Sequence, residues 1–195
     1  YIKVVSENDD GIYDALNKGL AIATGDVIGF LHSDDLFPSS TIISELASKI
    51  NNDNLDGIYG DLQYVNKENT NKIIRLWKSC EFKLELLRKG WMPAHPTLFL
   101  KKHVCDKYGE FNTSYKISAD YDFMLRILKD KTLNFGYLPK VITKMRVGGA
   151  SNRSFKNIIK KTKEDYHAVC SNNIGGWFSI FLKNTSKLRQ FVIKE

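Results

Sequence analysis

The chain has 195 residues, 43% hydrophobic and 26% charged, with a net charge of +7; this is the make-up of an ordinary globular protein with one substantial core, so one domain is the default. No run approaches the ~20 apolar residues of a membrane-spanning helix, and nothing after Tyr1 resembles a charged leader with an apolar core and cleavage site, so the start does not read as a signal peptide. Cys80, Cys105 and Cys170 are odd in number and far apart without CxxC spacing, which argues against a disulfide framework or zinc site and for a reducing cytoplasm.

In chain order, Ile12, Ala15, Leu16 and Leu20 recur at helical spacing and predict a helix over 11–23, with Asp9 or Asp10 to cap it and Gly25 to stop it. The apolar run from Val27, flanked by Gly25 and Pro38, reads as a buried strand over 27–35. Ile42, Ile43, Leu46 and Ile50 predict a helix behind Pro38 and Ser39, and residues 57–60 read as another short strand. This helix–strand alternation implies an α/β fold with a mainly parallel sheet. Residues 62–65 and 73–77 flank the polar stretch 66–71 as a hairpin or a loop-bearing insertion. Helices are predicted over 82–89, 101–108 and 118–130, and short strands over 97–100, 135–138 and 142–147. Residues 153–195 hold nine Lys and Arg against three acids, so nearly all the basic excess lies at this end, where it would attract anionic surfaces.

Asp34 and Asp35 should sit at the carboxyl end of the 27–35 strand, where open α/β sheets bind ligands. Adjacent acids repel unless a cation or donors compensate, and hard oxygen ligands suit Mg²⁺ or Mn²⁺ carrying a diphosphate. The competing account is that Asp34 caps a turn before Pro38.

Seven segments share one further pattern: SENDDGIYDALNKG (6–19), ATGDVI (23–28), LHSDD (31–35), PAHPT (93–97), YGEFN (108–112), ISADYDFMLR (117–126) and RVGGAS (146–151). In content and order they resemble the nucleotide-sugar half of family-2-like glycosyltransferases over residues 3 to 153. The resemblance implies a GT-A-type fold, a mixed sheet flanked by helices, over 1–153, followed by a basic amphipathic helical extension over 154–195. Family members begin with a strand, a nucleotide loop and a second strand bearing an acidic turn, none of which precedes Tyr1. The chain therefore reads as amino-terminally truncated, and the fragment by itself is expected to be weak or inactive.

The same resemblance implies roles. Asp34 and Asp35 match the DXD-type acids, the second binding the divalent ion and the first the nucleotide ribose or a metal-bound water; His32 stands where the family often has Asp. Asp120 matches the catalytic base, with Ala119 replacing the first acid of the family's pair. Asp122 is its rival on the acceptor side, although four residues before Arg126 it is also placed for an ordinary ion pair. Two apart on a helix, Asp120 and Asp122 face different ways, and the base is assigned to Asp120. Asp14, Asn17 and Lys18 belong to a helix expected near the nucleotide, where Lys18 could reach the diphosphate; a solvated face is the plainer use of Asp14 and Asn17. His95, between two prolines, could steady the leaving phosphate, touch the acceptor or simply pack. Arg146 with Gly148 and Gly149 matches a loop that closes over the donor, or is a plain turn.

The implied reaction is metal-dependent transfer, with inversion, from a nucleotide-diphosphate sugar to a saccharide or lipid-linked acceptor, as in surface polysaccharide synthesis. Trp177 to Lys183, then Leu188, Phe191, Val192 and Ile193 among basic residues, read as an amphipathic helix pair. It could lie on an anionic membrane, placing the protein peripherally on the cytoplasmic face, or pack on the domain or a second subunit. A non-catalytic basic membrane- or nucleic-acid-binding module is a rival reading. Nucleic acid is not expected, because the aromatics do not interleave with the basic residues. A metal-dependent nucleotidyltransferase is the third reading. The oligomeric state stays open.

Overall fold

The stretch Gly57–Val65 forms a strand buried along most of its length, and the rest of the sheet is arranged about it. The structure is a computed structural model that describes residues 2–147 and 155–189. Its elements are α1 (Ile12–Ile22), β1 (Val27–Gly29), β2 (Asp35–Leu36), α2 (Ile42–Asn52), β3 (Gly57–Val65), β4 (Ile73–Trp77), α3 (Glu85–Arg88), β5 (Phe99–Lys101), α4 (Lys102–Tyr108), α5 (Ala119–Leu128), β6 (Phe135–Arg146), α6 (Phe155–Ser171) and α7 (Trp177–Arg189), with a 3-10 turn at His95–Thr97.

The sheet order is β1-β5-β3-β6-β2, with β4 pairing β3 outside that line. The expected mainly parallel sheet is corrected to a mixed one: β3 and β6 are parallel, whereas β1–β5, β3–β5, β3–β4 and β2–β6 are antiparallel. β1 and β3 do run the same way, as helix–strand alternation requires, but β5 is inserted between them in the opposite sense. The predicted 27–35 strand is likewise divided. β1 ends at Gly29, the chain turns at Ser33-Asp34, and Asp35 opens β2 opposite Met145 of β6. The two strands predicted over 135–138 and 142–147 are one, β6, and the helix predicted over 82–89 shrinks to the single turn of α3, ended by Gly90 at φ 71°.

α2 lays Ile42, Leu46 and Ile50 on the sheet residues Ile58 and Ile142. On the larger core, α5 is buried nearly all round, among Leu98, Val104, Phe111 and Val169. α6 packs on α5, and α7 reaches back to α3, where Ser179 Oγ donates to the Arg88 carbonyl at 2.6 Å. The effect is to hold the first turn of α5 against α1 and the end of β6 beside the Ser33-Asp34 turn. Among the described residues no helix is long and apolar enough to cross a membrane.

Candidate active site

The acidic turn is fixed by backbone bonds. The Asp35 N–H donates to the His32 carbonyl at 2.9 Å, and the Arg146 N–H donates to the Asp34 carbonyl at 3.3 Å, so the end of β6 holds the turn. Asp34 is exposed; Asp35 is 8% exposed, and its Oδ2 has no hydrogen-bond donor among the described residues. Burial raises the Asp35 carboxyl above the usual range, His32 opposes this, and the Asp34 charge adds to it. A buried carboxylate oxygen without a donor is costly unless a cation meets it, so this pair fits a divalent ion. No group of three or more His, Cys, Asp or Glu among the described residues could hold a metal unaided. Ligation shared with substrate phosphates and water is the usual arrangement for Mg²⁺.

His95 is buried on the 3-10 turn. Its ring stacks on Phe30 at 5.4 Å, meets the edge of Phe111 at 5.5 Å and lies 5.9 Å from the His32 ring. Burial lowers its pKa to about 4, with Asp120 acting against this and His32 with it, so at neutral pH the imidazole is uncharged. The unfolded chain, with His95 near its ordinary 6.5, binds the extra proton between pH 6.5 and 4. Stability from this site is complete above 6.5 and drains away as the pH falls through that window, a loss approaching about 3 kcal/mol. The difference in urea-unfolding free energy between pH 7 and pH 4 should therefore shrink in His95→Gln, and an identical difference in both proteins would contradict the buried neutral ring.

Asp120 lies in the first turn of α5. Its Oδ1 accepts the Tyr121 N–H at 2.8 Å and the Tyr13 phenol at 3.1 Å, and that phenol also donates to the Ile117 carbonyl at 2.6 Å. The Tyr64 phenol feels the charges of both Asp35 and Asp120, and the guanidinium of Arg75 sits 4.7 Å over its ring. Asp35, His32, His95, Asp120 and Tyr64 are thus electrostatic neighbours around one site, although they come from β2, two loops, α5 and β3. A separate groove of about 500 Å³ along Ser44, Ser48, Asn52 and Leu138 shares none of these residues.

Asp122 faces elsewhere. Its Oδ2 pairs with Arg126 Nε at 3.0 Å, its Oδ1 accepts the Asn172 amide at 2.9 Å, and the residue is buried. Lys18 and Asp14 pair with each other at 3.1 Å; Lys18 also reaches Glu7 at 3.5 Å and the Asn8 carbonyl at 2.6 Å, while Asp14 accepts the Asp10 N–H. Both side chains tie α1 to the 7–10 segment. Asn17 is neither solvated nor turned to a nucleotide: its buried amide exchanges two bonds with the Phe111 backbone, at 2.9 and 2.8 Å. Arg146 Nε is buried with no hydrogen-bond partner among the described residues, and Gly148 and Gly149 lie outside them. Reading the sequence missed Tyr13, Tyr64 and Glu164, whose partners lie far along the chain; no local spacing marks them.

A family model described as glycosyl transferase family 2 matches residues 2–109. The chain is 30% identical over 148 residues, 75% of its length and 55% of the relative's, to a PGL/p-HBAD biosynthesis glycosyltransferase of Mycobacterium bovis. It is 24% identical over 166 residues, 83% of its length and 55% of the relative's, to an uncharacterized glycosyltransferase of Methanocaldococcus jannaschii. The chain thus spans about half the length of the curated relatives it matches. Among solved structures it resembles S. aureus TarS in complex with UDP-GlcNAc, with a TM-score of 0.59 and 12% identity over 97% of this chain and 56% of that one. It also resembles a mannosyltransferase of Pyrobaculum calidifontis in complex with GDP-Man and Mn²⁺, with a TM-score of 0.50 and 11% identity over 96% and 56%. At such identities these likenesses speak to the fold, which is of the GT-A type.

Proposed function

The chain belongs to glycosyl transferase family 2, and from that membership and the acidic site we propose that the whole protein moves a sugar, with inversion, from a nucleotide-diphosphate sugar to a saccharide or lipid-linked acceptor. The observation that carries the reading is a buried carboxylate oxygen on Asp35 with no donor among the described residues, together with an acid in the first turn of α5, the charges of both acting on the Tyr64 phenol. Membership in a glycosyltransferase family weighs against both the nucleotidyltransferase and the non-catalytic binding module.

Asp35, with Asp34 beside it, would hold Mg²⁺ or Mn²⁺, whose positive charge would offset the negative charge that builds on the leaving diphosphate. Asp120 takes the proton from the acceptor hydroxyl as that oxygen attacks the anomeric carbon. The uncharged His95, packed on Phe30 and Phe111, would lie on the acceptor side, and Arg146 Nε, without a partner among the described residues, would donate to the diphosphate. Lys18 would have to leave Asp14 and Glu7 to reach a phosphate. Asp122 serves the acceptor side only through the placement of α5.

The test is calorimetric titration of the full-length protein with UDP and with GDP, each with and without Mn²⁺. We expect Mn²⁺-dependent binding of one of them, weakened about tenfold or more by Asp35→Ala, the loss expected for a charge-assisted contact. Binding indifferent to both Mn²⁺ and Asp35→Ala would remove the metal role.

The helical end is proposed to rest on an anionic bilayer. Trp177, Phe178 and Phe181 of α7 are 60%, 71% and 63% exposed, Tyr166 of α6 stacks on Trp177 at 4.2 Å, and Lys156, Lys160 and Lys163 are exposed on α6. Exposed aromatics beside a basic helix face suit the boundary of an acidic membrane. Leu188 is described only as helical backbone, and Phe191, Val192 and Ile193 lie outside the described residues. Sedimentation with phosphatidylglycerol vesicles should bring the full-length protein down, less so after Phe178→Ser with Phe181→Ser. Equal recovery with neutral phosphatidylcholine vesicles, or with none, would count against this contact.

A further inference from the structure

We infer that Glu164, on α6, is a positioning residue for Asp120. The inference rests on the reading of Asp120 as the base, and it asks what fixes that acid's place. The carboxylate of Glu164 accepts three consecutive backbone N–H groups, from Lys116 at 3.2 Å, Ile117 at 2.8 Å and Ser118 at 3.0 Å. These are the amides that lead into α5. A helix start leaves the amides from its N-cap through its first turn without intrahelical partners, and a local Ser, Thr, Asp or Asn side chain usually meets one of them. Ser118 occupies the capping position here but makes no side-chain cap, and its Oγ is buried without a partner among the described residues. Glu164 instead clamps the segment entering the helix, Lys116 to the N-cap Ser118, from another helix 46 to 48 residues further along the chain. A carboxylate at that end is also favoured by the α5 dipole.

The clamp reaches Asp120 by a short route. Glu164 holds the Ile117 N–H, and the Ile117 carbonyl accepts the Tyr13 phenol at 2.6 Å. The same phenol touches Asp120 Oδ1 at 3.1 Å, and the charges of Asp120 and Glu164 both act on Tyr13. Asp120 begins two residues beyond the clamped Ser118. Releasing 116–118 therefore frees both supports of the acid at once, its helix start and its tyrosine. Glu164 never meets the reacting atoms, so its loss should slow turnover without weakening the donor, because misplacing a reacting group by about 1 Å costs up to ~100-fold.

The experiment uses full-length protein carrying Glu164→Ala, Glu164→Gln or Asp120→Asn. Backbone amide exchange is read at 116–118 and in β3, and nucleotide release is followed from UDP-glucose, UDP-GlcNAc and GDP-mannose with Mn²⁺. In Glu164→Ala, exchange at Ile117 and Ser118 should quicken about tenfold or more while β3 is unchanged. With whichever donor turns over, kcat should fall about 10–100-fold at a KM within about twofold of wild type. Glu164→Gln keeps one carbonyl acceptor and should fall between alanine and wild type in both readouts; if the alanine variant does not fold, this partial quickening of exchange at 116–118 and partial loss of kcat are read against wild type. Unchanged exchange at 116–118, a rise in KM that accounts for the rate loss, or a glutamine variant no better than alanine would each overturn the inference. If Asp120→Asn keeps full activity, the reading of Asp120 fails by itself, and the exchange data still judge the clamp.

Discussion

Asp120→Asn in the full-length protein is expected to lower turnover by about 10²–10⁴-fold, the span over which a positioned general base acts, with donor affinity and melting temperature close to wild type. Asparagine keeps the oxygen that accepts the Tyr121 N–H and the Tyr13 phenol, so the first turn of α5 should stay in place. What it lacks is basicity. The comparison that makes the result specific is Asp122→Asn, in which the buried partner of Arg126 and Asn172 loses its charge. That variant should lose stability first and keep its rate when folded, since its carboxylate is taken up by Arg126 and by Asn172 at the end of α6. Initial rates and thermal unfolding of the two variants side by side decide the matter: a folded Asp122→Asn that is inactive, with Asp120→Asn fully active, would reverse the assignment.

Elements with a clear 3.6-residue rhythm were legible to within a residue or two. The helices predicted over 11–23, from 40, over 101–108 and over 118–130 correspond to α1, α2, α4 and α5. Strand breaks were not. Within Val27 to Asp35 the chain leaves β1 at Gly29, a glycine set in an apolar run that otherwise reads as continuous strand, and the turn at Ser33-Asp34 is closed by the Asp35 N–H on the His32 carbonyl. The gap predicted between the strands over 135–138 and 142–147 does not occur. β3 pairs Tyr59 with Tyr137 and then Asp61 with Val141, so Pro139 falls in a bulge where no ladder donor is needed.

The candidate site shows the same division. Asp34 and Asp35 could be picked out because their environment is local, a turn next to a strand. The groups that give those acids a common setting are not local to them. Tyr13 meets Ile117 and Asp120 across 104 and 107 positions, Glu164 clamps the entry to α5 from another helix, and His95 becomes a buried neutral ring only when Phe30 and Phe111 close on it. Residue type and spacing can nominate an acid, but whether it has a partner is a property of the packed molecule. Asn17 is the converse: a residue read as facing solvent or a nucleotide turned out to be consumed by the backbone of Phe111.

The largest expected effect on stability lies where three helices meet. Lys183 of α7 is 2% exposed, its Nζ 3.0 Å from Asp165 Oδ1 of α6, which is 1% exposed, and 3.0 Å from the centre of the Tyr121 ring of α5. Burial pushes the Asp165 carboxyl up; Lys183 and then Lys161 outweigh it, leaving it below its usual range. Removing one partner of such a pair strands a buried charge, which typically costs 3–5 kcal/mol. Lys183→Met should fall at the lower end, about 3 kcal/mol, because Lys161 still meets Asp165 Oδ2. For a chain of this length that corresponds to a drop in melting temperature of roughly 6–12 °C. Because the carboxyl is depressed in the folded state, its contribution is whole above the ordinary carboxylate pKa and is lost as the pH falls below it, so the gap between wild type and Lys183→Met should narrow in acid. Adding Asp165→Leu to Lys183→Met should recover most of the loss at neutral pH, since an apolar pair leaves no charge to strand, although Lys161 then loses its partner. A double variant as unstable as the single one would mean that the three helices are held by something other than this ion pair.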